Sequence, residues 1–483
     1  MQKNTRLVRF YFLLVFLLLI LDTPKAQRVF SAEEAQEDIT VLYNSFRKVH
    51  PGLYRYQDTL VFEQMYNKIK VSFKGEVSYE ELFKKSTLLN AAVRDFHTGI
   101  QHSKSWTKEH KKVLPFVLRK VENHFYVQYN ASDDTTFVRG LEVLEINGEP
   151  IASLVEKLKP FIGTDNGEPT SKEYYAVKSF HTYYPRYWDV GDSVRVSVRF
   201  ADRTTTVDYC LKTMERKELS KTIIKRYPAK KRVNLAYTLE DSIAKIGRLD
   251  IHSFVYKGSG ADIFQFKFNR TLKQRFKQIK QDSVQHLALD FRANGGGYIP
   301  NVGRLMKYVS RESFKMTDTM GFSRKAYFKI FPFYELVTPL AASFFFNKKD
   351  ENYRFRSFSK KPNKKISKKR GFDGQLYVFS DAGSYSATVF AMVLLNTMNR
   401  ATFIGAQPGG TTWGSHAGSW YLKKLPNSKV RVRIPEFRIV HSQWAKKEHN
   451  LFLQPDYPVE ERRNNFFKDE DVYLLKLKEL VAK

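Results

Sequence analysis

The sequence predicts an α/β protein with a mostly parallel sheet, preceded by a helical unit and a β-rich module. Three observations carry this reading. Over Ala32 to about Ala92, apolar residues recur at helical spacing, as in EDITVLYNSFRKV and YEELFKKSTLLNAAV. Between about Val113 and Tyr209 the pattern changes to alternation, in LPFVLRKVENHFYVQY, GLEVLEINGEPI and DSVRVSVRFADRTTTVDY. Beyond Asp241, short apolar runs alternate with amphipathic stretches, the rhythm of strands crossing over through helices.

Residues 1 to 26 have a basic start followed by an apolar run from Phe10 to Leu21, the plan of a secretory signal peptide. The run is short for a bilayer span, which takes about 20 residues. Cleavage after Ala26 is expected, although Pro24 departs from the small-residue rule, so an uncleaved N-terminal anchor is the alternative. Cys210 is the single cysteine, so no intrachain disulfide forms and no cysteine follows the apolar run to carry a lipid. An exported chain of 483 residues without disulfides is expected in a bacterial periplasm or cell envelope, stabilised by core burial.

The expected organisation is a signal over 1–26, a helical unit over 27–105, a β-rich module over 106–235 and an α/β core over 236–483. In the first unit, Pro51 and Gly52 separate two helices. In the core, the expected strands are SIAKIGRLDI, QHLALDF, GQLYVFSD and ATFIGA, with helices TLKQRFKQIKQD, IPNVGRLMKYV and SATVFAMVLLNTM between them. A parallel sheet places functional loops at its strand ends. Residues 346–371 interrupt the rhythm with dense Lys and Arg and are read as a solvated excursion, with a mobile lid or contact with an anionic envelope or membrane surface as the alternative.

A net charge of +31 raises nucleic acid as a partner. The charge is spread along the chain and no helix-turn-helix, zinc-finger or RNA-binding signature focuses it, so no nucleic-acid partner is expected. No HExxH occurs, and His97, His102 and His110 do not have a ligand spacing, so neither metal nor cofactor is expected.

Two segments carry candidate chemistry. In LALDFRANGGGYIPN a buried strand runs into three glycines, a turn that lets backbone amides approach a phosphate or a carbonyl oxygen acquiring charge. In FSDAGSYSATVFAMVLLN, Ser386 opens an apolar helix where the dipole favours negative charge. The same position suits a helix cap, from Ser384 or Ser386. A serine nucleophile needs a base. His97, in AAVRDFHTG, and His416, in WGSHAGSW, are the candidates.

Taken together, LALDFRANGGG, the SDAG turn with SA at the next helix, FIGAQPGG, LPNSKVRVRIP and LQPDYPVEE resemble peptidase family S41. This family includes the tail-specific (C-terminal processing) peptidases, the tricorn core protease and interphotoreceptor retinoid-binding protein. The resemblance runs from about Asp241 to the C-terminus, and DFHT at 95–98 is similar to the DGHT element of the tricorn-like and retinoid-binding branch. It implies a ClpP/crotonase-like core, with the middle module a degenerate PDZ-like domain. With the signal-like start, it points to an exported serine-type peptidase that cleaves peptides, at or near their C-termini. On this resemblance Ser386 is the nucleophile and His97 the base, while Ala387 and either Gly295 or Gly296 supply the oxyanion amides. Phosphate binding becomes the lesser reading, since neither GxGxxG nor GxxxxGK is present.

Departures accompany the resemblance. Thr411 stands where processing peptidases place a lysine base, and Val389 and Ala406 replace two family glutamates. The lysine loss points to the histidine-dependent scheme. The lost acids motivate a second expectation, a catalytically degenerate S41-fold binding protein for peptide, lipid or envelope polysaccharide. Asp95 is one carboxylate near His97, but side chains on a turn diverge, so no orienting acid is assigned.

Overall fold

A computed structural model describes residues 29–200, 204–228, 233–256, 266–323, 346–349, 352–355, 371–442 and 450–483. The expected signal at 1–26 lies outside these residues, as does most of the basic run 346–371. Among the described residues no helix is long and apolar enough to cross a membrane.

The first helix, Ala32–Val49, opens on a capping box in which Ser31 and Glu34 bond each other's backbone amides. It buries Ala35, Ile39, Leu42, Phe46 and Val49 on one face. Pro51 ends it, since the residue before a proline is driven to extended backbone. His50 accordingly takes φ −67°, ψ 121° and is buried rather than continuing along the helix surface. Helices Thr59–Val71 and Tyr79–Ala91 complete the unit. Beyond the last, Arg94 adopts φ 55° and turns the chain so that Asp95 and His97 pass into the interior.

The alternating region forms an antiparallel sheet in the order Thr206–Lys212, Ser193–Arg199, Glu142–Ile146, His124–Asn130, Phe116–Val121. Helices Ile151–Leu158 and Pro169–Lys178 interrupt it, a helical passage the alternation did not predict. Its cause is visible in IASLVEKL, whose Ile151, Leu154, Val155 and Leu158 face inward at helical spacing. One hydrophobic core runs through this module and the N-terminal helices, from Phe30 and Phe46 to Val196 and Leu211.

The α/β rhythm becomes a six-stranded sheet in the order Ala236–Asp241, Ile246–Asp250, His286–Asp290, Gln375–Ser380, Thr402–Gly405, Tyr457–Pro458. The first pair is an antiparallel hairpin and the remaining neighbours are parallel. Helices Phe266–Gln281, Ile299–Val309 and Ala387–Thr397 cover it. The last is apolar on nearly every side and buried from Ala387 to Leu395, as a helix inside a core must be.

A third sheet, built on the antiparallel pair Gly414–Lys424 and Arg431–His441, was not anticipated. Strand Gly99–Gln101 pairs with its Arg431–Arg433 end. This pairing draws the His97 segment toward the parallel sheet. The short strands Phe346–Lys349 and Asn352–Phe355 join the same sheet through Thr317–Ser323, so these two stretches of the basic run are paired strand.

Candidate active site

Strand Gln375–Ser380 ends in a turn braced from several directions. The Asp381 carboxylate accepts the Ala293 and Gly383 amides at 2.8 and 3.0 Å, and the Ser384 hydroxyl donates to the Phe291 carbonyl at 3.0 Å. The Tyr385 amide donates to the Asn294 carbonyl at 3.0 Å. Held this way, Ser386 adopts φ 55°, ψ −123°, a conformation costing a non-glycine residue on the order of 1–3 kcal/mol. Its side chain makes no capping bond to the helix it precedes. The cap alternative therefore fails at Ser386, and Ser384 serves the turn.

The glycine turn lies against this serine. Asn294 bridges the strand ends, its Nδ2 donating to the Ile251 carbonyl at 2.7 Å and its Oδ1 accepting the Gly296 amide at 2.9 Å. Gly296 has φ 104°, and a Cβ there would stand 2.7 Å from Ser386 Cβ and 2.8 Å from the Ala387 nitrogen. Only glycine lets the turn approach so closely. Of the two glycines expected to offer an oxyanion amide, Gly296 has its own amide committed to Asn294. Gly295 is exposed, with open space about its Cα. The Ala387 amide belongs to the first helical turn, whose N–H groups the helix leaves without carbonyls.

His97 reaches this point from the far end of the chain, its Nε2 3.0 Å from Ser386 Oγ. The ring is only 8% exposed. Burial depresses its pKa below the ordinary imidazole value; the Asp95 charge opposes that shift and Arg433 adds to it. Asp95 accepts the His97 backbone amide on Oδ1 at 2.6 Å, and the same oxygen lies 3.9 Å from His97 Nδ1.

Two further histidines converge on Asp95. His416 Nδ1 lies 2.5 Å from Asp95 Oδ2, and His50 Nε2 lies 3.3 Å from the same oxygen. The Gly52 amide donates to His50 Nδ1 at 3.2 Å, which places the His50 proton on Nε2, toward Asp95. Gly52 also packs on His416: a Cβ there would fall 2.1 Å from Nε2. His416, the sequence's rival base, is thus directed at Asp95, while His97 is the imidazole on Ser386.

Residues 245–459 match the sequence profile of peptidase family S41. The match takes in a little under half of the chain and falls on its α/β core. No curated protein matches the sequence. Among solved structures, mature CPAF is similar in fold at 13% identity, covering 93% of this chain and 96% of that one, with TM-score 0.67. CPAF complexed with lactacystin gives 12% identity, 93% and 98% coverage and the same TM-score. The photosystem II D1 C-terminal processing protease gives 11% identity, 88% and 93% coverage and TM-score 0.41. The family match, together with the fold, supports a serine-type peptidase that acts on peptides or proteins.

The S41 match contains Gly295, Gly296, Ser386, Ala387 and His416, whereas His50, Asp95 and His97 come from the N-terminal unit. Burial would push the Asp95 carboxyl up; His416 and His50 outweigh that and hold it well below the usual carboxylate range. Asp95 is therefore ionised, and His416, depressed to about 4 chiefly by burial, is neutral and donates from Nδ1. The contact of 2.5 Å is a hydrogen bond. It joins His416 Nδ1 and Asp95 Oδ2 directly, with His50 Nε2 3.3 Å from the same oxygen.

Asp165 comes from the middle module and accepts the Phe96 amide at 2.9 Å, while the Asn166 amide donates to the Arg94 carbonyl at 3.1 Å. This loop grips the segment carrying His97. Burial, then the charge of Asp95, raises the Asp165 pKa to about 8. An acid with a folded pKa above its unfolded value binds more protons when folded, so it costs stability as pH rises through that window. Asp165→Asn is expected to gain a few kcal/mol over the parent between about pH 4 and pH 8. Thermal melts at about pH 5 and pH 8 check this, and an equal difference at both contradicts it.

Proposed function

We propose that the chain hydrolyses peptide bonds with Ser386 as nucleophile and His97 as base, and the 3.0 Å contact between them carries this reading. Ser386 Oγ attacks the carbonyl carbon as His97 Nε2 takes its proton. The amides of Ala387 and Gly295 receive the oxyanion, each such donor contributing roughly 3–4 kcal/mol in hydrolases. His97 then protonates the departing amine, and water activated by the same imidazole releases the acyl group.

Asp95 supplies the acid of the scheme. His97 must carry its proton on Nδ1 to accept from Ser386, and that nitrogen faces the Asp95 carboxylate across 3.9 Å. The imidazolium formed during attack is stabilised by this buried negative charge, which His416 and His50 in turn hold ionised.

A neutral imidazole is required, so kcat/KM for peptide hydrolysis is expected to fall on the acid side. Because burial depresses the His97 pKa, the inflection is expected below the ordinary value of 6.5. A profile measured on the purified protein tests this. Activity independent of pH from about 4 to 8 removes histidine from the role of base.

We also propose that the protein is exported, on the basic-then-apolar plan of residues 1–26. N-terminal sequencing of the mature protein is expected to begin at Gln27; a start at Met1 leaves the anchored form.

A further inference from the structure

Behind the histidine network lies a cavity of about 660 Å³ that the peptidase scheme does not use. Arg47, Arg55 and Arg438 line it together with His50 and Trp413, and among the described residues no acidic side chain does. Arg55 is the telling residue. Its Nε and Nη1 are buried and make no hydrogen bond among the described residues. Its guanidinium sits 5.4 Å from the Trp413 ring centroid and 5.6 Å from that of Tyr56, contacts that hold the cation in place without satisfying its N–H groups. A guanidinium is always protonated, and leaving its buried donors unpaired is costly. An oxyanion is the partner that answers both its charge and its planar donors.

We propose that this cavity binds a small ligand through a carboxylate or phosphate group, with Arg55 as the central donor and Arg47 and Arg438 at the mouth. The concave shape and aromatic wall suit a small molecule or a single peptide end, whereas an extended polyanion is bound by an open stripe of charge. Such a ligand would sit against the turn that governs the histidines, since the Gly52 amide fixes the His50 tautomer and Gly52 itself packs on His416. The site is separate from Ser386, so the proposal holds whether or not the serine is reactive.

Binding is measured calorimetrically on the full chain at fixed ionic strength, with inorganic phosphate in one arm and N-acetylphenylalanine in the other, its amide serving as the uncharged control. Saturable binding of either anion is expected, and which arm responds identifies the group. Arg55→Gln is expected to weaken it at least tenfold, while Lys217→Gln, on an exposed remote helix, leaves it unchanged. Should Arg55→Gln fold poorly, the parent gives a second readout, protection of Arg55 from phenylglyoxal by the bound anion. Absence of saturable binding in both arms overturns the proposal, as does an Arg55→Gln affinity equal to the parent's.

Discussion

Ser386→Ala is expected to lower kcat for peptide hydrolysis by about three orders of magnitude or more, with little change in melting temperature. The attack step loses its nucleophile, and the remaining amides can only polarise a carbonyl for water. Ser386→Gly separates this loss from folding. The residue is held at φ 55°, where glycine is unstrained, so the glycine variant is expected to be equally inactive yet more stable than the alanine variant by about 1 kcal/mol. Denaturant melts of the two variants, beside a peptide assay, check both halves. Retained hydrolysis in either variant excludes Ser386 from the chemistry.

The second large effect is expected at Asp95. Asp95→Asn keeps the shape but removes the charge facing His97 and turns an amide toward groups that donate, His416 Nδ1, His50 Nε2 and the His97 backbone amide. A fall in kcat of about 10²- to 10³-fold is expected, smaller than for a directly bonded triad acid because the carboxylate stands 3.9 Å from His97 Nδ1. Its sign is specific. Loss of a nearby negative charge favours neutral imidazole, so the acid limb of the remaining activity is expected at still lower pH than the parent's. A variant that merely loosens the fold loses activity without moving that limb.

The α/β rhythm was legible because apolar runs such as HLALD and VFAMVLLN have lengths and contents that only a buried strand and a buried helix satisfy. Ser386 and His97 could be singled out by motif, although they stand 289 positions apart. Their companions could not. His50 enters the site because Pro51 ends a helix one residue later, and Asp165 because a loop of the middle module closes over Arg94. Neither position carries a local signal distinguishing it from an ordinary cap or turn residue. The commitment of the Gly296 amide to Asn294, and the strained backbone of Ser386, are likewise imposed by tertiary bracing. The strands at 414–424 and 431–441 escaped notice because GSHAGS has no apolar alternation and residues 434–437 of the second strand are buried in succession.

The most direct test treats the purified protein with a serine-reactive fluorophosphonate and maps the adduct by mass spectrometry. A single adduct on Ser386 Oγ is expected, formed far more slowly in His97→Ala. No labelling of the folded parent, or labelling of Ser386 at the parent's rate once His97 is gone, contradicts it.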